Sequence, residues 1–194
     1  MIKYRGKSTM TIIAAVVRDN VTWIGADGRI INANDEVIDP YYNKLLKLPN
    51  CILGFCGSLS NWNVLSGAIK CDPEILINQN FLPGYEEQVV TESIIKLNEL
   101  KMFSGKNHQE FLLVVNNKIF ECSVSKSKWY VCQHDLIAAI GYGGSACRPM
   151  LDYLYKETDK KGNEILKTAI KYTITHSMGC GGKIQVAKAP WIKQ

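Results

Sequence analysis

A threonine and an aspartate near the start of the chain carry the first chemistry to consider. Thr11 begins one apolar run, Thr11 to Val17, and Asp27 follows directly on a second, Val21 to Ala26. Both runs are rich in the β-branched residues that suit a pleated, buried surface. The polar break Arg18-Asp19-Asn20 between them signals a hairpin. Such a hairpin would carry a hydroxyl at the start of one strand to a carboxylate at the end of its partner, although sixteen positions separate them in the chain. A hydroxyl becomes a useful nucleophile only when an adjacent base takes its proton. Taken alone, Thr11 reads equally as a β-branched strand residue, and Asp27 as a turn carboxylate accepting backbone N–H bonds.

A second pattern suggests different chemistry. Gly141-Tyr142-Gly143-Gly144-Ser145-Ala146 follows an apolar run and satisfies G-x-G-x-x-G/A, the dinucleotide fingerprint. No βαβ unit surrounds it, and the acidic residues beyond it, Glu157 and Asp159, fall in a charged loop, so nucleotide binding is set aside. His108, His134 and His176 read as surface or helix-end residues and not as metal ligands. Cysteines stand at 51, 56, 71, 122, 132, 147 and 180, with no C-x-x-C pair among them. That argues against a disulfide framework and against sulfur-ligated zinc. No metal and no cofactor is expected.

The elements that must position Thr11 and Asp27 follow from periodicity. After the first hairpin, Arg29 to Asn43 reads as mostly irregular. Lys44 then opens a second hairpin, KLLKLP and Cys51 to Phe55, turning at Pro49-Asn50. Trp62, Leu65 and Ile69 recur at helical spacing, with Ser58 or Ser60 as N-cap. A second helix spans Glu86 to Phe103, with Val90, Ile94, Leu97 and Lys101 on one stripe. Strands follow at Phe111 to Val115, Ile119 to Val124, Trp129 to Cys132 and Leu136 to Ile140. Asn116-Asn117 suits a tight turn because asparagine tolerates positive φ. A helix carrying Met150, Leu151, Leu154 and Tyr155 comes next, with Pro149 placed in its first turn. The helix Glu164 to His176 has Leu166, Ala169, Ile170 and Thr173 inside, and the strand Lys183 to Lys188 closes the chain. Strands in blocks followed by pairs of helices point to two packed sheets with helices outside, an α+β arrangement.

Composition excludes several function classes. A chain of 194 residues that is 46% apolar and 21% charged can bury a core as one domain. The net charge of +5 is spread out, and Lys3, Arg5 and Lys7 fall far short of a nucleic-acid arm. No apolar run is long enough to span a membrane. A cytoplasmic protein with no nucleic-acid or membrane partner is expected, and the scattered thiols suit a reducing compartment.

The stretches TIIAAVVRDNVTWIGADGR, NKLLKLPNCILGFCG, DLIAAIGYGGSA and HSMGCGGKIQVAK resemble, in order and spacing, the proteasome β-type subunits and the HslV peptidases. The resemblance runs from about Thr11 onward, is most specific in its first fifty or so residues and is looser from Asn78 to Trp129. It implies the four-layer αββα sandwich of the N-terminal-nucleophile hydrolases. It divides the chain into a leader, residues 1–10, and a domain, residues 11–194. It also implies threonine-type peptide hydrolysis once Thr11 is exposed, with peptides or unfolded proteins as substrates, a homo-oligomeric ring, and an ATP-dependent unfoldase as candidate partner. Carried over by position, Thr11 is the nucleophile, Asp27 and Lys44 its charged partners, and Gly54 the oxyanion donor. Ile30, Tyr42, Ile52 and Cys56 stand at substrate-pocket positions. The supporting positions hold other residues here: Tyr142 and Cys180 replace serines, Ser177 replaces an aspartate, and Met10 stands where a glycine precedes the nucleophile. A catalytically silent ring subunit, kept for assembly, is the second reading. Ring-to-ring contacts are expected on Trp62, Leu65, the helix from Glu86 and the apolar stretch Ile75 to Phe81.

Overall fold

The computed structural model describes residues 10–32, 36–71, 84–99, 109–125 and 128–190. The leader residues 1–9, the stretch 75–81, the end of the second helix at 100–103 and His108 lie outside the described residues. The chain forms two sheets stacked face to face, each covered on its outer side by two helices, which is the α+β, αββα sandwich.

The first sheet is built on the hairpin of β1 (Ile13–Arg18) and β2 (Val21–Ala26), with β10 (Ile137–Ile140) beside β1 and β11 (Gln185–Lys188) beside β2. Ile13 pairs with Ala26 and Arg18 with Val21. The two residues between the strands, Asp19 and Asn20, have φ of 54° and 57°, the left-handed pair that a two-residue hairpin turn requires. Ile13 and Ala15 face the second sheet, whereas Ile12, Ala14 and Val16 face the helices. Burial on both faces explains why the strand reads as an unbroken apolar run.

The second sheet runs in the order β5 (Leu45–Lys47), β6 (Cys51–Cys56), β7 (Gln109–Val115), β8 (Lys118–Ser125) and β9 (Lys128–His134). Its β7–β8 turn uses Asn116 and Asn117 at φ of 47° and 59°. Asn117 accepts from Thr22 N at 3.3 Å and donates to the Asn20 carbonyl at 2.5 Å. The two hairpin turns are thereby tied together at one end of the sandwich, and the start of β1 and the end of β2 lie at the other.

The outer layers follow helical periodicity. Trp62, Leu65 and Ile69 of α1 (Leu59–Cys71) and Val90, Ile94 and Leu97 of α2 (Glu86–Glu99) pack on the five-stranded sheet. Ser58 caps α1, its Oγ accepting from Asn61 N at 3.2 Å. Cys147, Leu151 and Leu154 of α3 (Gly144–Glu157) and Ile165, Leu166, Ala169 and Ile170 of α4 (Gly162–His176) pack on the other sheet.

The described part of the segment from Arg29 to Asn43 is mostly irregular, as expected, and is interrupted only by a short hairpin of β3 (Ile30–Ile31) and β4 (Val37–Asp39); two- and three-residue strands leave no periodic signal. Two expectations change. Pro149 is the sixth residue of α3 and not in its first turn, since the helix starts directly on the glycine turn at Gly144. Its missing N–H removes one intrahelical bond, to the Ser145 carbonyl. Trp62 and Leu65 are 6% and 1% exposed, so they belong to this chain's own core and present no surface to another ring. Val64, 56% exposed, is the apolar residue on the outward side of α1.

Candidate active site

The site lies at the sandwich end opposite the tied turns, where β1 begins and β2 ends. Lys44 immediately precedes β5, and its Nζ reaches across the layers to the first sheet. It donates to Thr11 Oγ1 at 3.1 Å and to Asp27 Oδ1 at 2.8 Å. All three are buried: Asp27 is 0%, Thr11 4% and Lys44 6% exposed. An ion pair this enclosed is tolerable only when the remaining polar capacity is also satisfied. Asp27 meets that condition, accepting Ile12 N at 2.9 Å on Oδ1 and Gly181 N at 3.0 Å on Oδ2. Lys44 is fixed through its main chain as well, its N donating to Gln185 Oε1 at 3.2 Å while Gln185 Nε2 donates to the Tyr42 carbonyl.

Two glycine turns close around this pair. Gly28 N and Arg29 N both donate to the Gly181 carbonyl, at 3.0 and 2.8 Å. On the other side Gly143 N donates to the Thr11 carbonyl at 3.2 Å. Gly141 has φ of +84°, and a Cβ there would lie 2.4 Å from the Thr11 oxygen, so a side chain is excluded by both backbone conformation and space. Gly54 pairs with Leu45, and a Cβ on it would lie 2.4 Å from Ile13 Cγ2. Its lack of a side chain lets β6 approach β1 directly behind Thr11.

The three substituted supporting positions separate in space. Cys180 is 1% exposed, and Gly143 packs against its sulfur. Burial and then the Asp27 charge push its thiol up to about 11, against the opposing pull of Lys44, Gly143 N–H and Arg29. It is a neutral packing group beside the network. Tyr142 is 52% exposed, and Ser177 is the half-buried C-cap of α4. Neither bonds to Thr11, Asp27 or Lys44. Met10 lies in the space that Gly179 leaves open, since a Cβ at Gly179 would meet its Sδ.

Among the pocket positions, Ile30 and Tyr42 are half-buried, and Tyr42 donates its hydroxyl to Asn63 Oδ1 at 3.0 Å. Burial chiefly raises that phenol above its ordinary range. Cys56 places its sulfur against Gly141, and Ile52, 2% exposed, packs in the core between the sheets with Leu45 and Ile24. Sequence reasoning did not find Gly181, Gln185 or the Ile12 amide as parts of the network. Gly181 was legible only as one of a run of turn glycines, with nothing local to link it to a carboxylate 154 residues earlier.

A buried ammonium held by a carboxylate and aimed at a threonine hydroxyl can stabilise negative charge on that oxygen as it loses its proton. Among the described residues no three His, Cys, Asp or Glu side chains are grouped as metal ligands, and no helix is long and apolar enough to cross a membrane.

No family model matches the sequence. The ATP-dependent protease subunit HslV of Aquifex aeolicus is 26% identical over 163 residues, covering 83% of this chain and 87% of that protein. HslV from Trypanosoma brucei superimposes with a TM-score of 0.69 at 14% identity, over 91% of this chain and 98% of that one. Thiobacillus denitrificans BPH, in a structure solved with epoxomicin, superimposes with a TM-score of 0.74 at 12% identity, over 94% of this chain and all of that one. The chain is thus similar in sequence to HslV over most of its length, and it shares the αββα fold of HslV and BPH.

Proposed function

We propose that this chain is a threonine-type peptidase subunit in which Thr11, exposed by cleavage after Met10, is the nucleophile. The observation that carries this reading is the buried Lys44 ammonium between Thr11 Oγ1 and Asp27. With residues 1–10 attached, Thr11 N is an amide and no base. Once freed, the α-amine has an ordinary pKa of about 8 and can accept the hydroxyl proton near neutrality.

The sequence of steps follows from the residues. Thr11 Oγ1 attacks the substrate carbonyl as its proton passes to its own amine, and Lys44 stabilises the forming alkoxide while Asp27 holds the lysine. The tetrahedral oxyanion calls for a backbone N–H, a donor of the kind worth about 3 kcal/mol; Gly54 does not supply it, because it sits in the middle of β6 between Leu45 and Leu112 and its N–H points along the sheet. The amine returns its proton to the leaving nitrogen, and an ester on Thr11 remains. Water, deprotonated by the same amine, releases the product. No cofactor or metal takes part. Ile30, Tyr42 and Cys56 give the pocket an uncharged, mainly apolar lining, suited to apolar side chains; Ile52, expected beside them, is enclosed between the two sheets and takes no part. The ATP-dependence in the name of the Aquifex relative supports an ATP-driven unfoldase as partner, with cytoplasmic homo-oligomeric rings as the working form.

Every described strand and helix lies between Ile13 and Lys188, so removal of residues 1–10 leaves those elements intact. The test is a fusion whose removal leaves Thr11 first. It should hydrolyse small peptides, and its Thr11→Ala form should not. Equal activity in the Thr11→Ala form rules out Thr11 as nucleophile. The second reading, a silent ring subunit, is favoured by Met10: the residue before the scissile bond is seated on Gly179 and is not the glycine of the family. An inactive but assembled protein with Thr11 exposed would establish it.

A further inference from the structure

The peptide group that joins Thr11 to Ile12 is gripped at both ends. Its N–H, on Ile12, donates to Asp27 Oδ1 at 2.9 Å, and its carbonyl, on Thr11, accepts from Gly143 N at 3.2 Å. These two bonds fix the rotation of the backbone next to the candidate nucleophile and so the direction of its hydroxyl. The first grip comes from a carboxylate that is itself anchored by Lys44 and Gly181 N. The second comes from the turn 141–144, which has no side chain at Gly141, Gly143 or Gly144 and turns Tyr142 toward solvent. Glycines confer freedom on a chain and do not hold it. Something outside the turn must set its position.

Glu110 supplies that anchor. It lies on β7, between Cys56 of β6 and Ser123 of β8 in register, on the face turned toward the first sheet. Its Oε2 accepts from Gly141 N at 3.2 Å. Gly144 N in turn donates to the Gly141 carbonyl at 2.9 Å, so the turn is closed on itself once Gly141 is held. A carboxylate of the second sheet thus reaches the Thr11 carbonyl through Gly141 and Gly143, as Asp27 reaches the same peptide group from the other side.

We infer that Glu110 is a positioning residue for the Thr11 hydroxyl, acting through the turn 141–144. The inference rests on the peptidase reading for its kinetic consequence and on geometry alone for the anchor. Misplacement of a reacting atom by an ångström costs up to about 100-fold in rate, and loss of one of two grips is expected to cost on the order of 10-fold. Glu110 touches neither Thr11 Oγ1 nor Lys44, so the loss should fall on kcat and leave KM within about 2-fold. Glutamine keeps an acceptor oxygen at the same reach and should restore the rate.

The test compares Glu110→Ala and Glu110→Gln in the protein with Thr11 exposed, using steady-state peptide hydrolysis and hydrogen exchange of the segment 140–146. The expected result is a roughly 10-fold lower kcat in Glu110→Ala with KM held, near-parental kinetics in Glu110→Gln, and faster exchange of the segment in the alanine form only. Parental kcat in Glu110→Ala, or equal damage from glutamine and alanine, overturns the inference. If the parent itself hydrolyses nothing, the peptidase reading fails, and exchange in the full-length chain decides the anchor: faster exchange in the alanine variant upholds it and unchanged exchange overturns it.

Discussion

Replacing Lys44 by methionine separates what the buried charge pair does for folding from what it does for chemistry. Methionine has nearly the length of lysine without the ammonium, so Lys44→Met removes the 2.8 Å bond to Asp27 and the 3.1 Å bond to Thr11 and creates little void. Asp27, fully buried, then keeps a negative charge with only the Ile12 and Gly181 amides to hold it. Breaking a buried pair from one side costs about 3 to 5 kcal/mol. The two amides remain, which favours the lower end, about 3 kcal/mol. For a chain of this length that is a fall in melting temperature of roughly 6 to 12 °C. Lys44→Met combined with Asp27→Asn discharges the site, so part of that loss should return, although the asparagine amide cannot accept both backbone N–H bonds. Activity should not return, because no cation faces Thr11 Oγ1. The assay is thermal unfolding beside peptide hydrolysis for the parent, the single and the double variant. An unchanged melting temperature in Lys44→Met would refute the energetic argument, and parental hydrolysis in the double variant would refute the role given to the ammonium.

Three further outcomes follow from the structure. Burial alone would raise the Glu86 carboxyl, but bonds from Lys118, its own backbone N–H, Gly84 N and Asn116 outweigh it and bring it down to about 2. The folded value lies below an unfolded one near 4.3, so this stabilisation is complete above about pH 5 and is lost as pH falls toward 2. Because Lys118 is more than a third exposed, about 2 kcal/mol is expected, and acid unfolding of Glu86→Gln should show a shallower dependence between pH 5 and 2; an unaltered profile would count against it. Hydrolysis should favour apolar side chains before the cleaved bond, and a preference for acidic or basic ones in a peptide library would contradict the pocket assignment. Light scattering should give a mass several times the 21.8 kDa of one chain, and a clean monomer at micromolar concentration would end the ring proposal.

How much of this was legible in the sequence depended on the range of each interaction. The β1–β2 hairpin could be read almost residue by residue, because its turn chemistry and its β-branched runs are local. Val90, Ile94 and Leu97, like Leu166, Ala169 and Ile170, marked buried helix faces by spacing alone. Trp62 and Leu65 showed the limit of that signal. Periodicity identifies an apolar face and does not say whether the chain or a partner covers it; here the chain's own second sheet does. The β3–β4 pair escaped notice because strands of two and three residues have no period to detect. Strand order was equally hidden, since β10 lies beside β1 through contacts more than a hundred positions apart.

The site divides in the same way, and the division bears on whether it works. Thr11 and Asp27 could be paired from the hairpin, because register fixes that distance. Lys44 could be placed only by resemblance, since it crosses from one sheet to the other. Gly181 and Glu110 act from still farther along the chain and leave no local mark. Asp27, Lys44 and Thr11 therefore meet by the convergence of four separate segments upon one buried point. A buried Lys–Asp pair brings little net stability, and apolar residues of similar volume commonly serve a fold as well or better. The surrounding layer is apolar, with Ile13, Ile24, Leu45 and Ala26 packed in the core beside it. A scaffold that served only assembly would have no physical need for an ammonium at that position, aimed at a hydroxyl and braced by a carboxylate with three hydrogen bonds. That balance favours the peptidase over the silent subunit, and the fusion that exposes Thr11 puts the two to direct trial.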